Sequence, residues 1–406
     1  MASSTVRTYK QYLYSVAASI HFGSNDIVDI DPMLITSLVV DYDYDNNNFP
    51  LVYLTLNIES RILDRMIKTK NTTTIVLTVK KAIENSSNKI WAIYFEDRFA
   101  YIIPDDINKN DSIEYNEETK KQNNPMNYKR NISLGLVSLN LLNTNKNVSP
   151  INGAVSGTMQ TIVYYTLSNQ RALLIEPFNH NPDIRNMIIP PLNSCSKVIE
   201  YLNNKSSFYN SKYLYFQDFD CTYLLSTSGV FTKKKGEKYN DVLLNTIVEN
   251  NIVTKTQGMS EDSKNNMYYI PFSADEVRVA DYHDIDKEFV NINAVDTDGN
   301  LISKKVIENH GVFSSKSQNV RIYNENPYIV DNMSSGIKEQ TTVLSVNTTY
   351  LDSSVLTPNK RYKFEGSQVY SSTDYNGVYR LSRKRELYIR IDDSYFMSTQ
   401  LFLKKK

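Results

Sequence analysis

Two carboxylates separated by one aromatic residue are the first feature of this chain that could perform chemistry. Asp218 and Asp220 flank Phe219, a spacing that predicts both carboxylates on one face of a β-strand, about 6 to 7 Å apart. Paired acids at such a separation are typical of glycoside hydrolases. Nothing else in the sequence indicates a sugar-binding cleft, so two structural carboxylates are the favoured interpretation. Replacing either by Asn should then abolish no activity, and should lower stability where the carboxylate accepts a backbone hydrogen bond.

Two acidic segments could hold a cation. Residues 41–46 place carboxylates at alternate positions, but the helix-loop calcium motif needs glycine at its sixth position and glutamate at its twelfth, which are Asn46 and Val52 here. A solvated turn is favoured, with a weak irregular cation site as the alternative. Residues 281–286 surround His283 with carboxylates and contain no second histidine. A polar loop is therefore favoured over a metal or acid–base cluster, and we expect no cofactor, metal or catalytic residue.

The two cysteines could supply a nucleophile or a disulfide. Cys195 falls on the apolar face of a predicted helix, where a buried thiol is inert even with His180 available elsewhere in the chain. Two cysteines, Cys195 and Cys221, are too few for the framework of several disulfides that is typical of small secreted domains. Reduced thiols during cytosolic synthesis are the favoured interpretation, and one bridge between them is the alternative.

Composition narrows the classes of function. The 406 residues predict two to four domains. Lys plus Arg and Asp plus Glu both number 45, so no global field would attract nucleic acid or an anionic membrane. Thirty tyrosines against 12 glycines favour amphipathic contact surfaces over phosphate-binding loops. The N-terminus lacks the apolar core of a signal peptide and no run is long enough to span a membrane, so release by lysis is expected.

The elements that would position these residues are mainly strands. Alternating apolar residues predict strands at 51–58 and 74–80, with an amphipathic helix at 61–67 between them. Residues 90–103 predict a hairpin that turns at 96–98. Near the C-terminus, residues 379–391 alternate apart from Arg383 and Arg385, which predicts a hairpin tip there, and alternation continues over 395–403.

The middle of the chain predicts an α/β unit. Residues 188–226 run IIPP, then a helix KVIEYLN that Asn193 or Ser194 can cap, then FY, then YLYFQDFDCTYLLS. This succession resembles the middle domain of the baseplate hub proteins of contractile-tailed phages. The resemblance implies two tube-like β-barrel domains around an α/β middle domain, a mainly β (α+β) fold.

We therefore expect four segments. Residues 1–112 are a first tube-like barrel, 113–130 a polar linker, 131–235 the middle domain, and 236–406 a second tube-like barrel that carries an insertion. Apolar strand positions should fill each barrel, and polar ones such as Thr55, Asn57, Ser398 and Gln400 should face the lumen or water.

The resemblance also implies a function. The expected protein is a non-enzymatic homotrimer whose six barrels form a pseudo-sixfold ring between a sixfold tail tube and a central spike. Its partners are its own copies, the tail tube protein, the spike protein, neighbouring baseplate proteins and genomic DNA in transit, in a virion assembled from protein made in the host cytoplasm. A channel passing DNA should not be strongly basic. The alternatives are a receptor- or carbohydrate-binding tail protein and a glycan-cleaving enzyme using Asp218 and Asp220.

Overall fold

The computed structural model describes most of the N-terminal half of the chain and selected parts of the C-terminal half. The described residues are 12–103 apart from 24, 86 and 87, residues 129–146, residues 154–227 apart from 171, 210 and 211, the backbone of strands within 241–323, and residues 343–348, 353, 356–365 and 377–405. The predicted linker 113–130 lies outside these residues except for 129 and 130.

The fold is mainly β with four α-helices among the described residues, as the sequence predicts. The strands are β1 (Leu13–Phe22), β2 (Ile27–Ile30), β3 (Ile35–Asp43), β4 (Leu51–Glu59), β5 (Thr73–Asn85), β6 (Asn88–Ile102), β7 (Lys129–Ser138), β8 (Ala154–Thr158), β9 (Ala172–Ile175), β10 (Asp183–Ile188), β11 (Tyr213–Gln217), β12 (Cys221–Ser226), β13 (Asp241–Ile247), β14 (Met267–Pro271), β15 (Val277–Ala280), β16 (Val290–Val295), β17 (Gln318–Tyr323), β18 (Val343–Thr348), β19 (Arg361–Glu365), β20 (Gly377–Ile391) and β21 (Ser394–Lys405). The helices are α1 (Ser60–Lys68), α2 (Leu139–Lys146), α3 (Met159–Thr166) and α4 (Cys195–Lys205).

Eight strands close into a barrel. Their order is β20-β3-β4-β7-β6-β5-β1-β21, and β21 pairs with β20 to complete the circle. Alternate residues of each strand point inward because the side-chain period of a strand is two. Inward positions predicted from the sequence, such as Leu54 and Leu77, are fully buried. The interior also contains Tyr14, Val16, Ile20, Leu38, Val40, Tyr42, Leu56, Val79, Phe99, Leu134, Leu136, Tyr388, Tyr395 and Met397.

The barrel draws its strands from three predicted segments. Residues 1–112 supply five of the barrel strands, β7 comes from the start of the predicted middle domain, and β20 and β21 come from the C-terminal segment. The first tube-like barrel is thus not complete within residues 1–112. Local alternation could not indicate this, because β20 and β3 pair residues that are at least 340 positions apart in the sequence, such as Arg383 and Asp43, and such pairing leaves no short-range pattern.

The β20–β21 hairpin belongs to two sheets. Beyond a bulge between Leu381 and Arg383, β20 leaves β3 and pairs with β19. Strand β21 pairs with β18 from Thr399 onward, which is opposite Glu386 and therefore begins before the bulge. Strands β13, β14 and β15 extend this second sheet. At the bulge the Ser382 hydroxyl donates to Phe402 O at 2.9 Å, and the Ser382 backbone carbonyl accepts from Tyr44 N at 3.1 Å. One continuous hairpin therefore fixes the barrel and the second sheet to each other.

Two predicted hairpin tips are wrong. Arg383 and Arg385 lie inside β20, and the tip is at Asp392 and Asp393. The bulge moves the inward positions to Lys384, Glu386 and Tyr388, so the apolar residues that follow the predicted tip face outward.

The second misplaced tip was predicted at residues 96–98. Strand β6 continues through them, and β5 joins β6 between Asn85 and Asn88. The inward-facing Asp97 interrupts the apolar pattern without ending the strand. Its carboxylate accepts hydrogen bonds from Ser138 and Asn140 and from Arg98 N at 2.7 Å.

The middle unit, residues 154–227, has its own core. Strands β11, β12 and β9 form a sheet in which β12 and β9 are parallel, and α3 and α4 contribute to the same buried cluster. As predicted, Ser194 caps α4, its hydroxyl accepting from Lys197 N at 3.4 Å, and Cys195, Val198, Ile199 and Leu202 are buried. No helix in the described residues is long and apolar enough to cross a membrane.

Candidate functional site

Asp218 and Asp220 lie in a tight turn, so their predicted placement on one face of a strand is wrong. Strand β11 ends at Gln217 and β12 begins at Cys221. Asp218 N donates to Cys221 O at 2.7 Å, and the Asp218 carboxylate accepts from Phe219 N at 2.7 Å. The sequence does not indicate the turn, because aromatic and acidic residues alternate across it and it contains neither glycine nor proline. Asp218 is half-buried and Asp220 is exposed.

Phe219, between the two acids, joins the middle unit to the barrel. Its ring stacks on Phe95 with centroids 4.7 Å apart and an interplanar angle of 3°. It also meets the rings of Tyr42 and Phe99 edge-on at 6.5 and 6.3 Å. Since all three partners belong to the barrel core, the turn closes off part of the barrel interior. The turn at residues 218–220 thus attaches the middle unit to the barrel.

A buried ion pair lies on the inner wall of the barrel beside this turn. Lys384 Nζ is 3.1 Å from Glu386 Oε1, and the Glu386 side chain is 0 % exposed. Lys384 Nζ also donates to Ser353 O at 3.3 Å and lies 4.2 Å from the centre of the Tyr42 ring. The Glu386 carboxylate accepts hydrogen bonds from Tyr388 at 2.9 Å, Tyr94 at 3.0 Å, Tyr42 at 3.5 Å and the Ser353 hydroxyl.

This network is satisfied rather than reactive. Burial, and then the negative charge of Glu386, raise the pKa of Tyr42, Tyr94 and Tyr388 well above the ordinary phenol value. The three hydroxyls therefore stay protonated and donate to the carboxylate at all physiological pH values. The desolvation of the two charges offsets much of their attraction, so the pair by itself is weak evidence of added stability, whereas removing one partner would leave the other charge buried and uncompensated. The sequence does not indicate this ion pair, because the alternation of β20 places Lys384 and Glu386 on the outward face unless the bulge is known.

Asp218 is electrostatically coupled to the same network. Burial raises the pKa of its carboxyl to about 6, the charges of Glu386 and Asp220 add to the rise, and Lys384 and the bond from Phe219 N oppose it. The carboxyl therefore ionises near neutral pH at the edge of the barrel interior.

The aspartates of residues 41–46 bind basic residues of the C-terminal hairpin. Asp45 accepts from Arg380 at 2.6 and 3.2 Å and lies 2.6 Å from Lys404 Nζ. Asp41 accepts from Arg383 Nε at 2.7 Å. Residues 41–46 were predicted to be a solvated turn, with a weak cation site as the alternative. Two of their carboxylates, those of Asp41 and Asp45, instead hold the C-terminal hairpin.

The third carboxylate of this segment, Asp43, stays within its own turn. It accepts from Asn46 Nδ2 at 2.9 Å. No group of three or more metal-ligating side chains occurs within the described part of the chain, and residues 281–286 lie outside it.

The cysteines do not form a disulfide in this structure. Both are reduced thiols, and Cys195 Sγ accepts from Gln170 Nε2 at 3.3 Å. Burial raises the pKa of the Cys195 thiol, whereas a nucleophilic cysteine needs a lowered one. The backbone N of His180 donates a hydrogen bond to Phe208 O at 3.2 Å, which holds the His180 main chain against the middle unit.

Comparison with known proteins places the chain among phage proteins. The family model described as Bacteriophage PBS1 gene 109 protein matches residues 1–406, and comparison with curated proteins finds no match. The predicted relationship to a phage structural protein is confirmed at this level.

The solved structures to which this chain is similar include phage tail proteins. A tail protein from Neisseria meningitidis MC58 has 10 % identity and a TM-score of 0.47, covering 97 % of both chains. The 43 kDa tail protein of prophage MuSo2 from Shewanella oneidensis has 9 % identity and a TM-score of 0.48, covering 98 % of this chain and 97 % of its own. The E. coli c3393 protein, described as a type VI secretion component similar to T4 bacteriophage tail proteins gp27 and gp5, has 8 % identity and a TM-score of 0.37, covering 92 % of this chain and 73 % of its own.

Proposed function

Because the chain belongs to the Bacteriophage PBS1 gene 109 protein family, we propose that it is the structural baseplate hub of a contractile phage tail. In this proposal a homotrimer forms a pseudo-sixfold ring that joins the tail tube to the central spike, contacts neighbouring baseplate proteins and leaves a channel for DNA. The protein has no enzymatic role, is made in the host cytoplasm and resides in the virion.

The observation that carries the proposal is the shared β20–β21 hairpin. A trimer presents six evenly spaced units to a sixfold tube only if the two units of each chain keep a fixed relation. Here a single hairpin pairs with the barrel strand β3 at residues 383–389 and with β19 and β18 of the second sheet at residues 377–380 and 399–404, and residues 399–402 also pair with 383–386. Its bulge is clamped by Asp45 and Asp41. This construction gives the rigidity that symmetry matching requires.

The outer wall of the barrel supports assembly with further protein. Register places one row of outward residues across five neighbouring strands, β6-β7-β4-β3-β20. Ile102 and Tyr53 of this row are 58 % and 39 % exposed. The remaining members are Gly135, Val39 and Leu387. The row spans four strand spacings, about 19 Å, and contains no charged residue. Such a face fits a subunit boundary better than open water.

Oligomeric mass and particle shape test the proposal. Native mass measurement should give three times the chain mass of 46.8 kDa, and electron microscopy should show a ring with a channel as wide as a DNA duplex. Tyr53→Asp should weaken the trimer because it places a charge in the apolar row. Tyr165→Asp, at an exposed tyrosine of the middle unit, serves as the matched control. A monomer at micromolar concentration that also fails to assemble with tube or spike proteins contradicts the hub.

A further inference from the structure

Strand β6 is paired on one side only over most of its length. Among the described residues, β5 pairs with β6 from Asn88 to Phe99, whereas β7 pairs with it only from Phe99 to Ile102. The described backbone hydrogen bonds of residues 90–95 are those to β5, and none leaves their other edge. Such an edge presents N–H and C=O groups at the spacing that a further strand requires. Backbone pairing can therefore be added to the barrel wall at residues 90–95.

The two ends of this edge differ in their protection against strand addition. A bulge opposite residues 79 and 80 leaves Tyr94 without a partner on β5. Asp97 faces inward, and its carboxylate accepts from Arg98 N at 2.7 Å. Bulges and inward-pointing charges are devices by which proteins prevent other strands from pairing with an edge. Residues 90–93 contain neither device, so this end of the edge remains able to pair.

The side chains of the same residues are apolar and exposed. Ile90 and Ile93 are 51 % and 62 % exposed, and Trp91 is 37 % exposed. Residues 90–95 read IWAIYF, without a charge, a glycine or a proline. A six-residue segment of high β-propensity and no charge pairs readily with other strands when it lies on an edge. The segment therefore matches an extended strand as its occupant.

A cavity of about 240 Å³ continues from this edge. Residues 93–97 of β6 form one wall, and residues of α2 and of the segment 218–222 lie on the other side. Glu96 and Asp220 line the cavity and are exposed, and its lining contains no lysine or arginine. An apolar edge that ends in an acidic cavity is complementary to a strand that is apolar along most of its length and basic at one end.

We infer that residues 90–95 of β6 are the docking edge for an extended strand of a partner protein, whose apolar side chains lie against Trp91 and Ile93 and whose basic end lies beside Glu96. Both strands that pair with β6 run antiparallel to it, and antiparallel pairing is slightly the more stable. In that direction the N-terminal end of the partner strand is the basic one. This contact is separate from the apolar row and does not need the protein to be a hub.

A peptide copy of β7 tests the inference, because it has the required chemistry. Residues 129–138, KRNISLGLVS, begin with two basic residues, continue with alternating apolar ones and pair antiparallel with β6 in the fold. When the blocked peptide is titrated into the full-length protein, hydrogen exchange should slow at residues 90–95 but not at 99–102. The emission of Trp91, the single tryptophan of the chain, should change with the same midpoint.

Matched controls separate strand addition from general stickiness. The same peptide with Leu134→Pro and Leu136→Pro cannot complete the backbone ladder and should produce neither response. In the protein, Ile93→Lys places a charge on the edge and repels the basic peptide, and it should weaken binding about twofold to fivefold. Ile188→Lys, at an exposed isoleucine of β10, should leave binding unchanged.

Four results would each overturn the inference. They are an equal response to the proline peptide, equal affinity in the Ile93→Lys variant, no slowing of exchange at peptide concentrations up to about 1 mM, and slowing at residues 90–95 when the concentration of the protein alone is raised. The last would show that a second copy covers the edge. Native mass measurement of the trimer is independent of the peptide, so a failure here leaves the hub proposal standing.

Discussion

Arg380 donates two hydrogen bonds to Asp45, at 2.6 and 3.2 Å, where the β20–β21 hairpin passes from the barrel into the second sheet. Both side chains are largely buried, and Lys404 of β21 reaches the same carboxylate. Burial alone would raise the pKa of the Asp45 carboxyl, but Arg380 and Lys404 outweigh it and lower the pKa below its ordinary value. Asp45 thus ties both strands of the hairpin to the end of β3.

We expect Asp45→Asn to lower the free energy of unfolding by about 2 to 4 kcal/mol near neutral pH, because it removes the largely buried carboxylate charge that both Arg380 and Lys404 bind. A lowered folded-state pKa means that the contribution is complete above the unfolded-state pKa of about 4 and is lost as pH falls through the folded-state value. The difference from wild type in denaturant unfolding should therefore shrink in acid. Asp26→Asn, which breaks an exposed pair with Arg65, should cost less than about 1 kcal/mol. Equal losses for the two variants would contradict the clamp.

The Lys384–Glu386 pair should show strong coupling in a double-mutant cycle. Glu386→Gln leaves a buried ammonium without its counter-charge and should cost about 3 to 5 kcal/mol. Adding Lys384→Met should recover part of this loss, giving a coupling energy of about 1 to 3 kcal/mol by denaturant unfolding. Lys197→Met, at an exposed position of α4, is the control and should change stability by less than about 0.5 kcal/mol. Additive losses would show that the two charges act independently.

The local sequence pattern predicted those strands and helices that depend mainly on neighbouring residues. The alternation of Val52, Leu54 and Leu56 and the Ser194-capped stripe of α4 both appear as expected. In α1, Leu63 and Met66 are buried, but Ile67 is 40 % exposed. The helix covers the barrel edge with a narrower face than the sequence predicts.

Features that depend on distant pairing could not be read from the sequence. One extra residue at Ser382 reverses the faces of β20, so Glu386 faces inward and Ile389 outward. The spacing of Asp218 and Asp220 predicts that both lie on a strand. They lie in a turn instead, and that turn is fixed by the packing of Phe219 against Phe95 of the barrel. The candidate site therefore became visible only with the tertiary structure.

Phe219 should contribute more to the junction than its short turn indicates. Phe219→Ala removes the ring stacked on Phe95 and should lower the free energy of unfolding by about 3 to 5 kcal/mol. Because the lost contact joins two units, limited proteolysis should also cut the junction faster. Tyr165→Ala, at an exposed tyrosine of α3, should do neither. A loss below about 1 kcal/mol would show that the middle unit is held mainly by other contacts.

Asp218→Asn should stabilise the protein at neutral pH, contrary to the loss expected from sequence. The folded-state pKa of about 6 lies above the unfolded-state value of about 3.9, so the folded state binds more protons between these values and wild-type stability falls as pH rises through them. The Asn side chain carries no charge, and its oxygen can still accept from Phe219 N. Unfolding free energies should thus agree within about 0.5 kcal/mol near pH 4 and favour the variant by about 1 to 3 kcal/mol near pH 7.5. Asp220→Asn is the exposed control and should change the free energy of unfolding by less than about 0.5 kcal/mol at either pH. A variant less stable than wild type at the higher pH would mean that Lys384 compensates the Asp218 charge more fully than the burial of the carboxyl destabilises it.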